Sequence, residues 1–150
     1  MSANNRVPLD GAGANELMKG FTTRMIHSLP SAWDQLFIDF RSVGTYVELS
    51  GRLITVLGGA IEWTPPGDEA VFLMKLRDAM YRPYEGVWTS LRYHLVHPGR
   101  YSVEYDWKNE PDWDHTPPPR FFAQEFDMYP RNEDDLPEWF ERRLDEADAE

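Results

Sequence analysis

GVWTSLRYHLVHPGRYSVEYDW, residues 86–107, holds two runs of alternating side chains around a proline and a glycine, and its reading decides the fold. In the first run Val87, Leu91, Tyr93 and Leu95 share one face, while Ser90, Arg92 and His94 take the other. In the second, Tyr101, Val103, Tyr105 and Trp107 alternate with Ser102, Glu104, Asp106 and Lys108. Period two is the repeat of a half-buried strand and Pro98-Gly99 marks a reversal, so the stretch reads as an antiparallel hairpin. A loop of residues 98 and 99 alone would set Leu95 opposite Ser102 and mix apolar with polar side chains on one face. One extra loop residue, or a bulge near His97–Arg100, returns Leu95 and Val103 to a common face, and such an irregularity is predicted.

Toward the N-terminus, TPPGDEA at 64–70 opens a helix that runs to about Tyr81. Its cap is either Thr64, with Pro65 in the first turn, or Asp68 before Glu69. Phe72, Leu76, Ala79 and Met80 form its apolar stripe, and Lys75, Arg77 and Asp78 take the remaining surface. Further upstream Leu36, Ile38 and Phe40 alternate with Asp39 and Arg41, and Gly44 permits a turn. Val47 and Leu49 follow on a second strand, and Gly51 precedes a third, RLITVLG at 52–58. A first helix at about 14–28 carries Leu17, Met18, Phe21, Met25 and Leu29 on nearly one face and stops at Pro30. Residues 1–13, rich in Asn, Gly and Ala, read as a flexible lead.

Toward the C-terminus, residues 109–119 contain four prolines and form a long, restrained loop. FFAQEFDM at 121–128 reads as a further strand, with Phe122, Phe126 and Met128 on one face. Pro137 leads into a short charged helix at about 138–146, and residues 147–150 form an acidic tail that frays. The expected fold is therefore α+β, a single layer of about six mostly antiparallel strands packed against two helices, with a short C-terminal helix. One domain spans 14–146, because 150 residues support one core comfortably.

Charge is unevenly placed. Residues 1–100 hold ten acids and ten Lys or Arg, whereas residues 101–150 hold sixteen acids and five bases, so the formal charge of −11 belongs to the last third. Such a field disfavours direct contact with nucleic acid and attracts a basic protein. No run approaches a membrane span and the opening residues lack a secretory pattern, so a soluble, cytoplasmic chain without membrane contact is expected. The absence of cysteine excludes disulfides and thiolate zinc sites.

Candidate chemistry centres on the acids after residue 100. Glu104 and Asp106 lie two apart on one strand face, where carboxylates can share a metal, but the same alternation describes a solvent-facing strand. Asp112, Asp114 and His115 offer oxygen and nitrogen ligands, yet a cation would need a further one, such as Glu104 or His94, and neither HExxH nor an EF-hand loop is present. No serine sits in GxSxG or SxxK, and neither GAG at 11–13 nor GG at 58–59 belongs to a phosphate-binding pattern. Catalytic residues, metal and cofactor are all expected to be absent. Trp113, between two acids in a proline-bounded loop, reads as an interface anchor or as a lid over the local core.

Trp33 after an amphipathic helix and a proline, the 86–107 block, and an aromatic-rich segment ending before LPEW at 136–139 together resemble the YezG-like immunity proteins of bacterial polymorphic toxin systems, over about residues 14–140. The resemblance implies a small non-enzymatic antitoxin that binds and neutralises a cognate toxin, often a nuclease. Nuclease active regions are commonly basic, so the expected contact surface is acidic: Glu104, Asp106, Asp112, Trp113 and Asp114, with Asp127, Glu133, Asp134 and Asp135. Two other classes fit the same residues. One is a metal-assisted hydrolase using these acids and His115, and the other is an adaptor whose acidic face recruits a nontoxic basic protein. An amphipathic edge or helix serves a homodimer or a heteromer alike.

Overall fold

The hairpin demanded by the 86–107 alternation is present in the computed structural model, which describes residues 8–150. Its strands are β4 (Ser90–Val96) and β5 (Arg100–Asp106). Val96 stands opposite Arg100 and Tyr93 opposite Val103, so the loop is His97–Gly99, one residue longer than Pro98-Gly99 alone. That extra residue keeps Leu91, Tyr93 and Leu95 on one face with Tyr101, Val103 and Tyr105.

Three more strands complete an antiparallel sheet: β1 (Trp33–Val43), β2 (Tyr46–Thr55) and β3 (Ala60–Glu62), in the spatial order β3-β2-β1-β4-β5. The central β1 buries Leu36, Ile38 and Phe40 completely, beside Leu53 of β2 and Leu91, Tyr93 and Leu95 of β4. Helices α1 (Gly11–Ser28) and α2 (Glu69–Ala79) cover this face with Met18, Phe21, Met25, Leu73 and Leu76. Phe21 stacks on Phe72 and meets Tyr93 edge-on at 5.1 Å, joining both helices to the sheet. Each such fully buried apolar side chain contributes about 1.5–3 kcal/mol.

Helix α1 starts at Gly11, earlier than the sequence pattern suggested. The Asp10 carboxylate accepts from the Gly13 N–H at 2.7 Å, an N-cap that carries the helix across two glycines. Leu9 donates its N–H to Ala79 and packs against the core, so residues 8–13 belong to the fold; the rest of the expected lead, residues 1–7, lies outside the described residues.

Gly51 does not separate two strands. β2 runs through it to Thr55, and the third strand is β3, reached through Gly58 at φ +87°. A Cβ at Gly51 would stand 2.1 Å from the Trp63 carbonyl oxygen, and the Trp63 N–H donates to the Gly51 carbonyl at 3.0 Å. The glycine marks a close backbone approach within a strand, rather than a reversal.

The expected strand at 121–128 is a helix, α3 (Arg120–Met128), so among the described residues the sheet has five strands rather than six. Phe122 and Phe126 satisfy period two and are also four apart, so their spacing fits both structures. Prolines 117–119 preset the backbone leading into the helix, and burial of Phe122 and Glu125, three apart, selects the helical alternative. A 3₁₀ turn at Glu133–Asp135 connects to α4 (Glu138–Asp148), which docks through Phe140 and extends past the expected end. The helices thus number four among the described residues: two over the sheet, and two packed on each other at its β1–β2 end.

Arg77, expected on the outer surface of α2, is 2% exposed. Its Nε donates to the Trp88 carbonyl at 2.7 Å and its guanidinium pairs with Glu125 of α3. The other oxygen of Glu125 accepts the Gly44 N–H at 2.7 Å, in a turn where Gly44 adopts φ +58° and a Cβ would meet Gln124. This buried cluster ties α2, α3 and the β1–β2 turn together.

Candidate functional site

Only one face of the sheet is covered by α1 and α2. On the other, antiparallel register lays polar side chains in rows: Ser50, Asp39, Arg92 and Glu104 run across four strands, and Glu48, Arg41, Ser90 and Asp106 form the next row. The loop following β5 rises over this end of the face and closes a concavity of about 420 Å³, bounded by Asp112 and Asp114. Asp39, Glu104, Asp106, Asp112 and Asp114 line it together with Arg41 and Arg92. Five carboxylates against two guanidinium groups leave the hollow strongly negative.

Its rim is held by Glu48. The carboxylate accepts from Arg41 Nε at 2.9 Å, the Tyr46 hydroxyl at 2.8 Å, and the backbone N–H groups of Asp114 and His115 at 2.9 and 3.0 Å. Burial works to raise its pKa, but the backbone donors of Asp114 and His115, then Tyr46 and Arg41, outweigh burial and bring it down to about 2. Arg41 reaches on to Asp114 at 3.4 Å, so one arginine and one glutamate fix the loop over the sheet.

Asp106 has a local task as well. Its Oδ1 accepts the N–H groups of Lys108 and Asn109 at 3.0 and 2.9 Å, turning the chain out of β5. Partial burial pushes its pKa up, but the backbone donors and the Asn109 amide prevail and leave it below the ordinary carboxylate value. Arg92 donates to Asp39 at 3.1 Å; that hydrogen bond and charge raise its pKa against some desolvation, with Glu104 and Asp112 adding to the rise.

Trp113 is half-buried. It meets Tyr46 and Phe122 edge-on at 5.7 and 6.2 Å and donates Nε1–H to Glu110, which also binds Arg143 of α4. These contacts make it a lid over an aromatic cluster. Trp139 docks α4 by donating to the Lys108 carbonyl at 2.7 Å.

Apart from Trp113, the expected contact residues divide among three places. Glu104, Asp106, Asp112 and Asp114 share the sheet concavity. Asp127, Glu133 and Asp134 line a separate groove between α3 and α4, beside Glu141, Asp145 and Asp148. Asp135 borders a third hollow with Arg82, Lys108 and Arg131, where cations offset it. A single continuous surface is therefore replaced by a compact site and a second acidic groove, because α3 is a helix that turns Asp127 away from the sheet.

Asp39, Arg41, Glu48 and Arg92 were not anticipated as site residues. The signal for one pair was present: Arg41 and Glu48 stand at equal distances from the Gly44-Thr45 turn, which makes them direct cross-strand neighbours. His94, offered as a possible ligand, instead stacks on Phe37 at 4.2 Å and bonds Gln35 at 2.7 Å. Among the described residues no group of three or more His, Asp or Glu is placed to hold a metal ion. What the concavity can do chemically is accept hydrogen bonds from several cationic side chains at once.

Among the described residues, no helix is long and apolar enough to cross a membrane. No family model matches the chain, and no curated protein matches it.

Proposed function

We propose that the chain is a protein-binding inhibitor, an antitoxin similar to the YezG-like immunity proteins, that receives the basic surface of a cognate toxin domain in its acidic concavity. The observation that carries this reading is the convergence of Asp39, Glu104, Asp112 and Asp114 around one hollow on a five-stranded sheet. The sheet and the pinned loop fix the backbone that carries these acids, and Asp39 and Asp114 are held by Arg92 and Arg41, so little backbone freedom is lost when a basic partner docks. The net charge of −11 adds long-range attraction and speeds encounter at low salt. A nuclease is the toxin class that the charge fits best, since its phosphate-binding surface is basic. Inhibition by occupying that surface involves no catalysis by this chain, and the interaction takes place in the cytoplasm.

The test is capture of the partner from the native bacterial lysate, followed by titration with variants. A retained basic toxin should lose about tenfold or more in affinity when Asp39→Asn, Glu104→Gln and Asp112→Asn are combined, chiefly through slower association. Equal binding by that variant would overturn the site. A retained nontoxic basic protein would make the chain an adaptor, and metal-dependent turnover lost in His115→Ala would make it a hydrolase.

A further inference from the structure

The two edges of the sheet differ. β3 is three residues long, too short to template another strand, whereas β5 offers seven residues in unbroken register, with neither proline nor glycine. The ladder's alternation identifies which β5 groups are free. Ser42 N–H donates to the Thr89 carbonyl and His97 N–H to the Asp34 carbonyl, so odd residues of β4 bond to β1 and even residues turn toward β5. On β5 the even residues therefore bond back to β4, and the N–H and C=O groups of Tyr101, Val103 and Tyr105 point outward. Among the described residues, no backbone group pairs with them.

We propose that this edge pairs antiparallel with the same edge of a second copy, about a two-fold axis through Val103, making one ten-stranded sheet. The strand is complementary to itself in that register. Arg100 stands opposite Asp106 of the second copy, Tyr101 opposite Tyr105, and Ser102 opposite Glu104, while Val103 meets itself. The outward groups of residues 101, 103 and 105 then face one another as hydrogen-bonded pairs. Other registers fail on physical grounds. A one-residue slip would mix polar and apolar faces, an axis at Glu104 would oppose two like charges, and an axis at Tyr105 would set Glu104 against Asp106. An axis at Ser102 carries the pairing into the Pro98-Gly99 loop. A groove of about 700 Å³ between α1 and the Tyr101, Val103 and Tyr105 side chains leaves room for the aromatic row of the incoming strand. Strand addition of this kind uses main-chain bonds for affinity and side-chain rows for register.

Sedimentation of the full chain tests the proposal. The expected result is a concentration-dependent species of twice the 17.5 kDa chain mass, strengthened by added salt because two chains of −11 repel. Salt would weaken capture of a basic partner, so the two associations are separable. Val103→Pro removes an outward N–H and leaves the β4 ladder intact, and it should weaken the dimer about tenfold or more. Arg100→Glu should weaken it several-fold, because it sets two acids opposite each other at both ends of the paired strands. Because the chain has no cysteine, Val103→Cys reports the register directly: it should cross-link to itself under mild oxidation, whereas Glu104→Cys should not. Monomer at every concentration, a dimer indifferent to Val103→Pro, or the reverse cross-linking pattern would overturn the proposal. The cysteine pair decides the matter if the proline variant fails to fold.

Discussion

Arg77 on α2 and Glu125 on α3, 48 positions apart, form an ion pair with only 2% and 3% of their side chains exposed. Arg77 also donates to the Trp88 carbonyl, and both oxygens of Glu125 are engaged, one by Arg77 and the other by the Gly44 N–H. Desolvating two charges is costly, and the pair persists because these neutral partners share the load. It fastens the α3–α4 unit to the sheet, and so supports the Trp113 lid and the loop bordering the acidic concavity.

Removing one partner of this pair strands the other. Glu125→Ala or Arg77→Ala should each lower unfolding free energy by about 3–5 kcal/mol in urea titration. The double change Arg77→Met/Glu125→Leu should recover much of that loss, because no buried charge is then left unpaired.

Glu48 makes stability depend on acid. Its folded pKa of about 2 lies below the ordinary 4.5, so its contribution is complete above pH 4.5 and disappears as pH falls toward 2. The side chain is 9% exposed, and the effect is on the order of 2–3 kcal/mol. Glu48→Gln should flatten the stability profile in that window and speed hydrogen exchange at the Asp114 and His115 amides, which donate to this carboxylate.

Two glycines should respond oppositely to alanine. At Gly51 the new methyl meets the Trp63 carbonyl, so Gly51→Ala should destabilise by about 1–3 kcal/mol and loosen β3. At Gly20, within α1, the nearest atom is the flexible Arg24 guanidinium at 3.9 Å. Gly20→Ala should therefore stabilise by about 0.5–1 kcal/mol, measured by the same urea titration.

Trp113→Ala should open the loop without unfolding the sheet. The half-buried indole contacts Tyr46, Phe122 and Glu110, so the expected cost is about 2 kcal/mol, with hydrogen exchange rising across residues 109–119 and little change in β1 or β4. Uniform protection loss across the chain would show that the lid and the sheet unfold together.

The hairpin was legible in the sequence because strand alternation is local. Leu91, Tyr93 and Leu95 require a common face with Tyr101, Val103 and Tyr105, and that demand alone predicts the added loop residue. The same period cannot separate Phe122 and Phe126 on a strand from the same pair on a helix, nor can composition distinguish Gly51 in a strand from Gly44 in a turn. Those choices were made by contacts with Glu125, Gln124 and Trp63, far along the chain. Of the residues lining the concavity, charge counting named Glu104, Asp106, Asp112 and Asp114 but not Asp39, Arg41 and Arg92 beside them. What the sequence by itself determined was the buried face of β1, β4 and β5 and the sign of the net charge, whereas on the helices Leu17, expected to be buried, is 41% exposed and Arg77, expected outside, is buried. Which acids share one hollow, and which are turned away beside α4, was decided only by tertiary structure. Strand register, the contacts of Arg41 and Glu48 with residues 114–115, and the Arg77–Glu125 pair set distances between residues that no short-range pattern relates.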